Sequence, residues 1–144
     1  VTLAGKGGTG KGAMVLIVLL FGIVIVGILA AIAIPQYQMY TNRARLSEAA
    51  GLGRQAVASV DAYRRDHAQF PETLGAAGFA PRVPPFVYGI EMDGRAVVVT
   101  IRQGGGFPNG GSLTWDASED SYGKTIWKCT GSRIPESMLP TDCR

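Results

Sequence analysis

The amino-acid sequence predicts an α+β protein in which one long N-terminal helix packs on a four-stranded antiparallel sheet, with a disulfide-bounded loop at the C-terminus. The first half of the helix is predicted to span a membrane, because residues 14–34 are apolar and carry no charge. Apolar residues then recur at helical spacing as far as Tyr63, which predicts an amphipathic second half. Short strand-like segments and two cysteines occupy the rest of the chain.

The apolar segment, residues 14–34, is long enough to cross a bilayer core of about 30 Å at about 1.5 Å per residue. A secretory signal peptide is the alternative, but its apolar region would be shorter and would be followed by small residues at a cleavage site. Here the run is followed by Pro35 and then by Gln36, Tyr37 and Gln38, so we interpret it as a retained anchor. Residues 1–13 are glycine-rich and basic, and we expect them to form a flexible segment before the anchor.

The orientation of the anchor follows from its flanks and from the cysteines. Lys6 and Lys11 precede the anchor and are expected to stay in the cytoplasm, although Arg43 and Arg45 follow it closely and weaken the positive-inside signal. The expected disulfide places the C-terminal part of the chain outside the cytoplasm. We therefore predict a cytoplasmic N-terminus and an extracytoplasmic head.

Residues 36–66 are predicted to continue the helix, and residues 35–144 together to form the extracytoplasmic head. Apolar or small residues recur every three or four positions, whereas most charged side chains lie off that face. Pro35 is expected to kink the helix rather than end it, because the pattern resumes at once. The face predicted to contact the sheet consists of Leu46, Ala50, Gly53, Val57, Val60 and Tyr63.

Four strands are predicted after the helix. The first two flank Asp93-Gly94, a dipeptide typical of a type I′ hairpin turn. The glycine-rich loop, residues 103–111, separates them from the other two. The predicted strands are residues 86–92, 95–102, 112–117 and 124–129.

One face of this sheet is predicted to pack on the helix. In the second strand Val97, Val99 and Ile101 alternate with less apolar residues, so one face is clearly apolar. Neither this face nor the helix stripe is stable alone, and each supplies the apolar surface that the other must bury.

The chain has two cysteines, Cys129 and Cys143. A pair this close together near a terminus, behind a membrane anchor, is typical of a disulfide in an oxidising compartment. Closure of a loop of this size contributes about 3 kcal/mol. The alternative is two free thiols in a cytosolic tail, which the presence of an anchor disfavours.

No catalytic, metal-binding or cofactor-binding site is predicted, and no small-molecule substrate. The segment GKGGTGK at residues 5–11 fits the start of a phosphate-binding loop, but Gly12 stands where that loop needs Ser or Thr. His67 is the only histidine, so the sequence offers no metal cluster. The glycine-rich loop is expected to be a plain connection, with a ligand-binding loop as the alternative. The net charge of +3 is spread along the chain and gives little support to nucleic-acid binding.

Two segments of the sequence indicate a known family. The segment GILAAIAIPQYQMYTNRARLSEAAG, residues 27–51, resembles the N-terminal helix of type IV pilins. The end of the chain resembles their closing strand and disulfide-bounded loop. The residues that match there are Trp127, Cys129, Leu139, Pro140 and Cys143.

The resemblance implies a non-enzymatic subunit that polymerises through its apolar helix into a filament for adhesion, surface motility or DNA uptake. It assigns Pro35 as the helix kink and Cys129 with Cys143 as the structural disulfide. The implied partners are other pilin subunits, contacted through the N-terminal helix, and the bacterial inner membrane before assembly, with the head in the periplasm. In an extracellular pilus, an adhesion surface or DNA is a further implied partner.

The sequence departs from the family at the start of the helix. Alignment back from Pro35 places Ala13 and Met14 at the family's processing junction and Val18 where the family carries a glutamate. In the family this glutamate pairs with the terminal amine of a neighbouring subunit during assembly. The alternative function is therefore a membrane-anchored pilin-like accessory protein that does not polymerise. The small residues expected to permit close helix packing are Gly22, Gly27, Ala30 and Ala31.

Overall fold

A computed structural model describes residues 6–144 of the protein, with side chains described from residue 10 onward. It contains one α-helix, α1 (Lys6–His67), and four strands. The chain divides into two compact units, of which the first ends at Gln38 and the second is Met39–Arg144; we refer to the second unit as the head. The strands are β1 (Val87–Asp93), β2 (Ala96–Ile101), β3 (Gly111–Glu119) and β4 (Thr125–Ser132).

The helix begins earlier than the sequence predicts. It includes Lys6 and the glycines that follow, whereas the predicted start was Met14. Glycine has low helix propensity, so the local sequence predicts that the helix begins only at the apolar segment. A helix that is already nucleated, however, extends at little further cost. Residues 1–5 of the predicted flexible segment lie outside the described residues. The assignment of residues 14–34 as the membrane-spanning part stays a prediction.

Pro35 lies inside α1, which continues through it to His67, as the sequence predicted. A proline in a helix removes one backbone hydrogen bond and crowds the preceding turn. The apolar and small residues on both sides keep the helical pattern, so the helix resumes immediately. The kink expected at Pro35 stays a prediction.

The sheet of the head has the strand order β1-β2-β3-β4, and all three pairs are antiparallel. This confirms the predicted four-stranded antiparallel sheet, with strand boundaries shifted by a few residues. The prediction of a type I′ turn between β1 and β2 is wrong. Asp93 is the last residue of β1 and pairs with Ala96, so the central turn residues are Gly94 and Arg95. Of these only Gly94 has a positive φ, of 63°, which fits a type II′ turn.

The core lies between one face of the sheet and one face of α1. Val97, Val99 and Ile101 of β2 are buried, as predicted from their alternation. On α1 the predicted residues Leu46, Ala50, Gly53 and Val60 are also buried, but Val57 and Tyr63 are only partly buried. The predicted contact face omitted Ala49 and Ala56, which are both fully buried. Small side chains therefore make up the centre of the helix face, where the sheet approaches closely.

Candidate assembly helix and disulfide-closed head

The apolar side chains in the first half of α1 are exposed in the described part of the chain. Each large apolar side chain from Met14 to Ile34 is more than half exposed, and Val18 is 64% exposed. In the described part of the chain, α1 is the one helix long and apolar enough to cross a membrane. An apolar surface of this extent is unstable in water and marks a site covered by lipid or by other proteins. The first unit is therefore a candidate surface for both anchoring and assembly.

The small residues of this segment are not all on one face of α1. Gly27 and Ala31 are four positions apart, so they lie one turn apart on the same face, and Ala30 lies beside them. Gly22 is five positions before Gly27, which rotates it by roughly 140° around the helix axis. No atom lies within 4 Å of a Cβ placed at Gly22 or Gly27. Gly27, Ala30 and Ala31 thus form a small-residue patch that admits a neighbouring helix, whereas Gly22 lies apart from it.

The residues at the expected processing junction, Ala13 and Met14, both lie within α1 and are exposed. Val18 lies one turn further along. The segment from Met14 to Ile34 is uncharged, and the first acidic residue of the chain is Glu48 in the head. The start of α1 therefore carries no carboxylate that could pair with a neighbour's amine.

Gly53 is the point of closest approach between α1 and the sheet. A Cβ placed there would lie closer than 3.0 Å to the indole ring of Trp115 on β3. Trp115 is itself only 4% exposed. The glycine therefore provides the space in which the indole packs on the helix. The sequence predicts Gly53 on the contact face, but its pairing with Trp115 depends on the register between helix and sheet.

The C-terminal end of α1 contacts the end of the sheet where β3 leads into β4, through polar and aromatic interactions. Arg64 donates hydrogen bonds to Thr125 and, at 3.3 Å, to Glu119. Its guanidinium also lies 4.3 Å from the centre of the Phe70 ring. Three residues before Arg64, Asp61 Oδ1 accepts a 2.9 Å hydrogen bond from the indole N–H of Trp127. Sequence reasoning missed the three hydrogen-bonded pairs because they join residues 55 to 66 positions apart.

The disulfide between Cys129 and Cys143 is formed, as predicted, with a Cα–Cα distance of 4.5 Å. It joins β4 to a short 3₁₀ turn, Thr141–Cys143, and both cysteines are buried. Leu139 packs over Gly131 of β4, so the enclosed loop covers the edge strand of the sheet. The alternative of two free thiols is excluded. The head is thus closed covalently at the end of the chain.

The glycine-rich loop between β2 and β3 packs on the start of the helical part of the head. A Cβ at Gly106 would lie closer than 3.0 Å to the side-chain amide of Asn42, which is the one buried polar residue among the described side chains. Gly104 and Gly105 have φ values of 120° and 59°, which favour glycine. Asn42 and its contact with this loop were not predicted. The one feature of the sequence that could have indicated a close contact at this loop is its run of three glycines, residues 104–106.

The structure bears on two kinds of site, a metal site and a phosphate-binding loop. Within the residues that it describes, no group of three His, Cys, Asp or Glu side chains is placed to hold a metal ion. Of the segment that fits the start of a phosphate-binding loop, residues 6–11 are helical, whereas such a loop requires a non-helical turn before its helix. Gly5 lies outside the described residues.

A helix that is apolar and uncovered in its first half, and that packs in its second half on a four-stranded sheet closed by a C-terminal disulfide, defines a pilin-type subunit. A model of the pilin family, proteins of bacterial filaments, matches residues 42–144. Type IV major pilin protein PilE1 of Neisseria gonorrhoeae is 32% identical over 159 aligned residues, which cover 90% of this chain and 84% of that relative. Fimbrial protein EcpC of Eikenella corrodens is 32% identical over 138 residues, or 90% of this chain and 88% of that relative.

The chain belongs to the type IV pilin family. This is a structural, non-enzymatic family whose members assemble with one another in a pilus. The long apolar helix and the relatives fit a protein that is anchored in a membrane or built into an extracellular pilus.

Proposed function

We propose that the chain is a subunit of a type IV pilus that polymerises through the apolar half of α1 and displays its head on the filament surface. The observation that carries this proposal is the uncovered apolar surface of residues 14–34 joined to a compact head. Burying apolar surface stabilises by about 25 cal/mol per Å², so this segment is stable only in lipid or among other helices. The bacterial inner membrane provides the first environment, with the head in the periplasm, and a filament core provides the second.

The patch of Gly27, Ala30 and Ala31 is the proposed contact between neighbouring helices. Small residues four apart let two helix backbones approach closely, and van der Waals packing then replaces contacts with lipid. Pro35, just beyond this patch, is the proposed kink. The head, held by its core and disulfide, stays folded outside. Adhesion, surface motility and DNA uptake are the uses that such a filament serves, and an adhesion surface or DNA is the proposed outer partner.

A second candidate function, an accessory protein that keeps the fold without polymerising, is favoured by Val18. An ionisable side chain within a membrane costs a few kcal/mol unless it is paired. An acidic residue at position 18 would therefore favour assembly, in which it could pair with the terminal amine of a neighbouring subunit. Valine is uncharged, so it provides no such driving force for assembly. We expect the chain to enter filaments less completely than a subunit with an acidic residue at this position.

The experiment compares sheared surface filaments with the membrane fraction of a host that supplies compatible pilins. The variants are Val18→Glu and, as a matched control, Val24→Glu, which introduces the same charge at another exposed position of the same segment. Val18→Glu is expected to raise the filament fraction, and Val24→Glu is expected to lower it, because its carboxylate finds no partner. A parent chain found almost wholly in filaments would show that Val18 is no handicap. A parent absent from filaments under all conditions would favour the accessory function.

A further inference from the structure

The two ends of the head differ in charge. Their positions follow from contacts of α1: Asn42 packs on Gly106 of the glycine-rich loop, whereas Arg64 contacts Thr125 at the opposite end of the sheet. The Arg64 end also carries the β1–β2 and β3–β4 turns, where acidic and basic side chains are mixed. The loop end includes four arginines, which are Arg43, Arg45, Arg102 and Arg133, with Glu48 and Glu136 three residues from two of them.

Two of these arginines line one shallow pocket between α1 and the glycine-rich loop. Arg45 comes from the helix and Arg102 from the residue after β2. The residues that line the pocket include no acidic side chain. Neither guanidinium forms an ion pair in the described part of the chain, although Glu48 is only one turn from Arg45. Two arginines therefore line this pocket with no acidic residue beside them, and the Arg102 guanidinium lies 5.5 Å from the centre of the Tyr88 ring. Pro85, Phe86 and Phe107 provide the apolar walls.

The conformation of the loop adds to this cationic surface. A Cβ placed at Gly105 would lie 3.4 Å from Arg45 Nη1, so the glycine lets the guanidinium lie against the backbone. The N–H of Gly104 donates to Phe107 O at 2.9 Å. Those of Gly105 and Gly106 have no acceptor among the described residues. Successive N–H groups in a turn with positive φ are a common element of anion-binding backbones.

We propose that this pocket, defined by Arg45, Arg102 and Gly105 with its apolar walls, binds the phosphate group of an anionic ligand. Guanidinium groups bind phosphate oxygens by paired, charge-assisted hydrogen bonds, which are about twice as strong as neutral ones. Carboxylates of the chain itself do not occupy the pocket, and its Phe and Pro walls suit the uncharged part of an amphiphile. The ligand is either a membrane phospholipid, a source that rests on the anchored state proposed above, or free phosphate.

The pocket lies at the end of the head that contains its first residues, because Asn42 and Arg45 are among the first seven residues of the head. Basic residues beside an anchor are attracted to anionic lipid by about 1 kcal/mol each. Binding to a phospholipid there would hold the loop end of the head at the membrane before assembly. This role is additional to polymerisation, which involves the apolar half of α1.

The test uses the full chain in neutral detergent micelles. In one arm, native mass spectrometry measures retention of phosphatidylglycerol against phosphatidylcholine; in the other, inorganic phosphate is titrated while amide NMR signals of residues 104–106 are followed. The test variant is Arg45→Gln/Arg102→Gln. The matched control, Lys124→Gln/Lys128→Gln, removes the same charge from exposed positions at the opposite end of the sheet. Because native mass spectrometry resolves the monomer from larger species, lipid retention is read on the monomer and does not depend on filament formation.

We expect the parent and the control to bind with affinities within about twofold of each other, and the Arg45/Arg102 variant to bind about tenfold or more weakly. Retention of phosphatidylglycerol in preference to phosphatidylcholine identifies lipid as the source, and shifts with phosphate alone identify the free ion. Equal binding by all three proteins in both arms, or equal weakening in the control, overturns the proposal. Should the double variant lose its disulfide-bonded fold, Arg102→Gln alone, at an exposed position, makes the same comparison.

Discussion

Replacing Gly53 by alanine tests how α1 packs on the sheet. The added methyl group would lie closer than 3.0 Å to the indole of Trp115, a separation that real Cβ atoms essentially never show. Because Trp115 is 4% exposed and sits in the core, its ring cannot turn into solvent. Either the ring or the helix must shift.

The magnitude follows from two opposing effects. Overpacking a core costs about 1–3 kcal/mol, and a clash with a rigid, buried ring lies towards the upper end of that range. Alanine gains about 1 kcal/mol over glycine in helix propensity. We therefore expect Gly53→Ala to lower the free energy of unfolding by about 1–2 kcal/mol, which lowers the Tm of a domain of this size by roughly 4–8 °C.

The assay is thermal unfolding of the full chain in detergent, followed by the near-ultraviolet circular dichroism of its tryptophans. Gly51→Ala is the matched control, because Gly51 is in the same helix and no atom lies within 4 Å of a Cβ placed there. That variant gains only helix propensity and is expected to be more stable by roughly 0.5–1 kcal/mol. If both variants raise the Tm equally, the claim that Gly53 packs closely against Trp115 is refuted.

Three further predictions concern the stability of the head. Cys143→Ser is expected to cost about 3 kcal/mol, measured by urea unfolding of the full chain; no loss relative to the oxidised parent would contradict a stabilising role for the disulfide. Trp127→Phe removes the hydrogen bond to Asp61 and should cost about 1–2 kcal/mol, most of which should disappear in a background where Asp61 is already alanine. Ala56→Asp buries an unpaired charge and should prevent folding, whereas Arg54→Asp, at an exposed position, should change stability by less than about 1 kcal/mol; equal melting of the two would refute the assigned helix face.

Periodicity predicted the elements of the fold but not the details of their contacts. Alternation in Val97, Val99 and Ile101 identified the buried face of β2 because a strand has only two faces. On a helix the buried stripe is wider, and its centre depends on the register against the sheet. The prediction therefore included Gly53, which is buried, but chose Val57, which is only partly buried, and omitted Ala56, which is fully buried.

The polar contacts of the head could not be predicted, since they join residues far apart in the sequence. Arg64 and Thr125 meet only when the last turn of α1 lies over β4. Likewise, nothing local indicates that Asn42 packs on Gly106. The disulfide was predictable because the chain has only two cysteines and both lie near its end. The roles of Val18 and the small-residue patch concern contacts between subunits, so they stay predictions.

Electron cryomicroscopy of filaments sheared from cells that express the chain with compatible pilins tests the central claim most directly. The account predicts filaments in which the apolar halves of α1 pack together in the core, with heads outside whose density contains the Cys129–Cys143 loop. Mass spectrometry of the same filaments should recover peptides of this chain. Filaments that lack the chain, while it remains entirely in the membrane fraction with its head folded, would contradict its role as a pilus subunit.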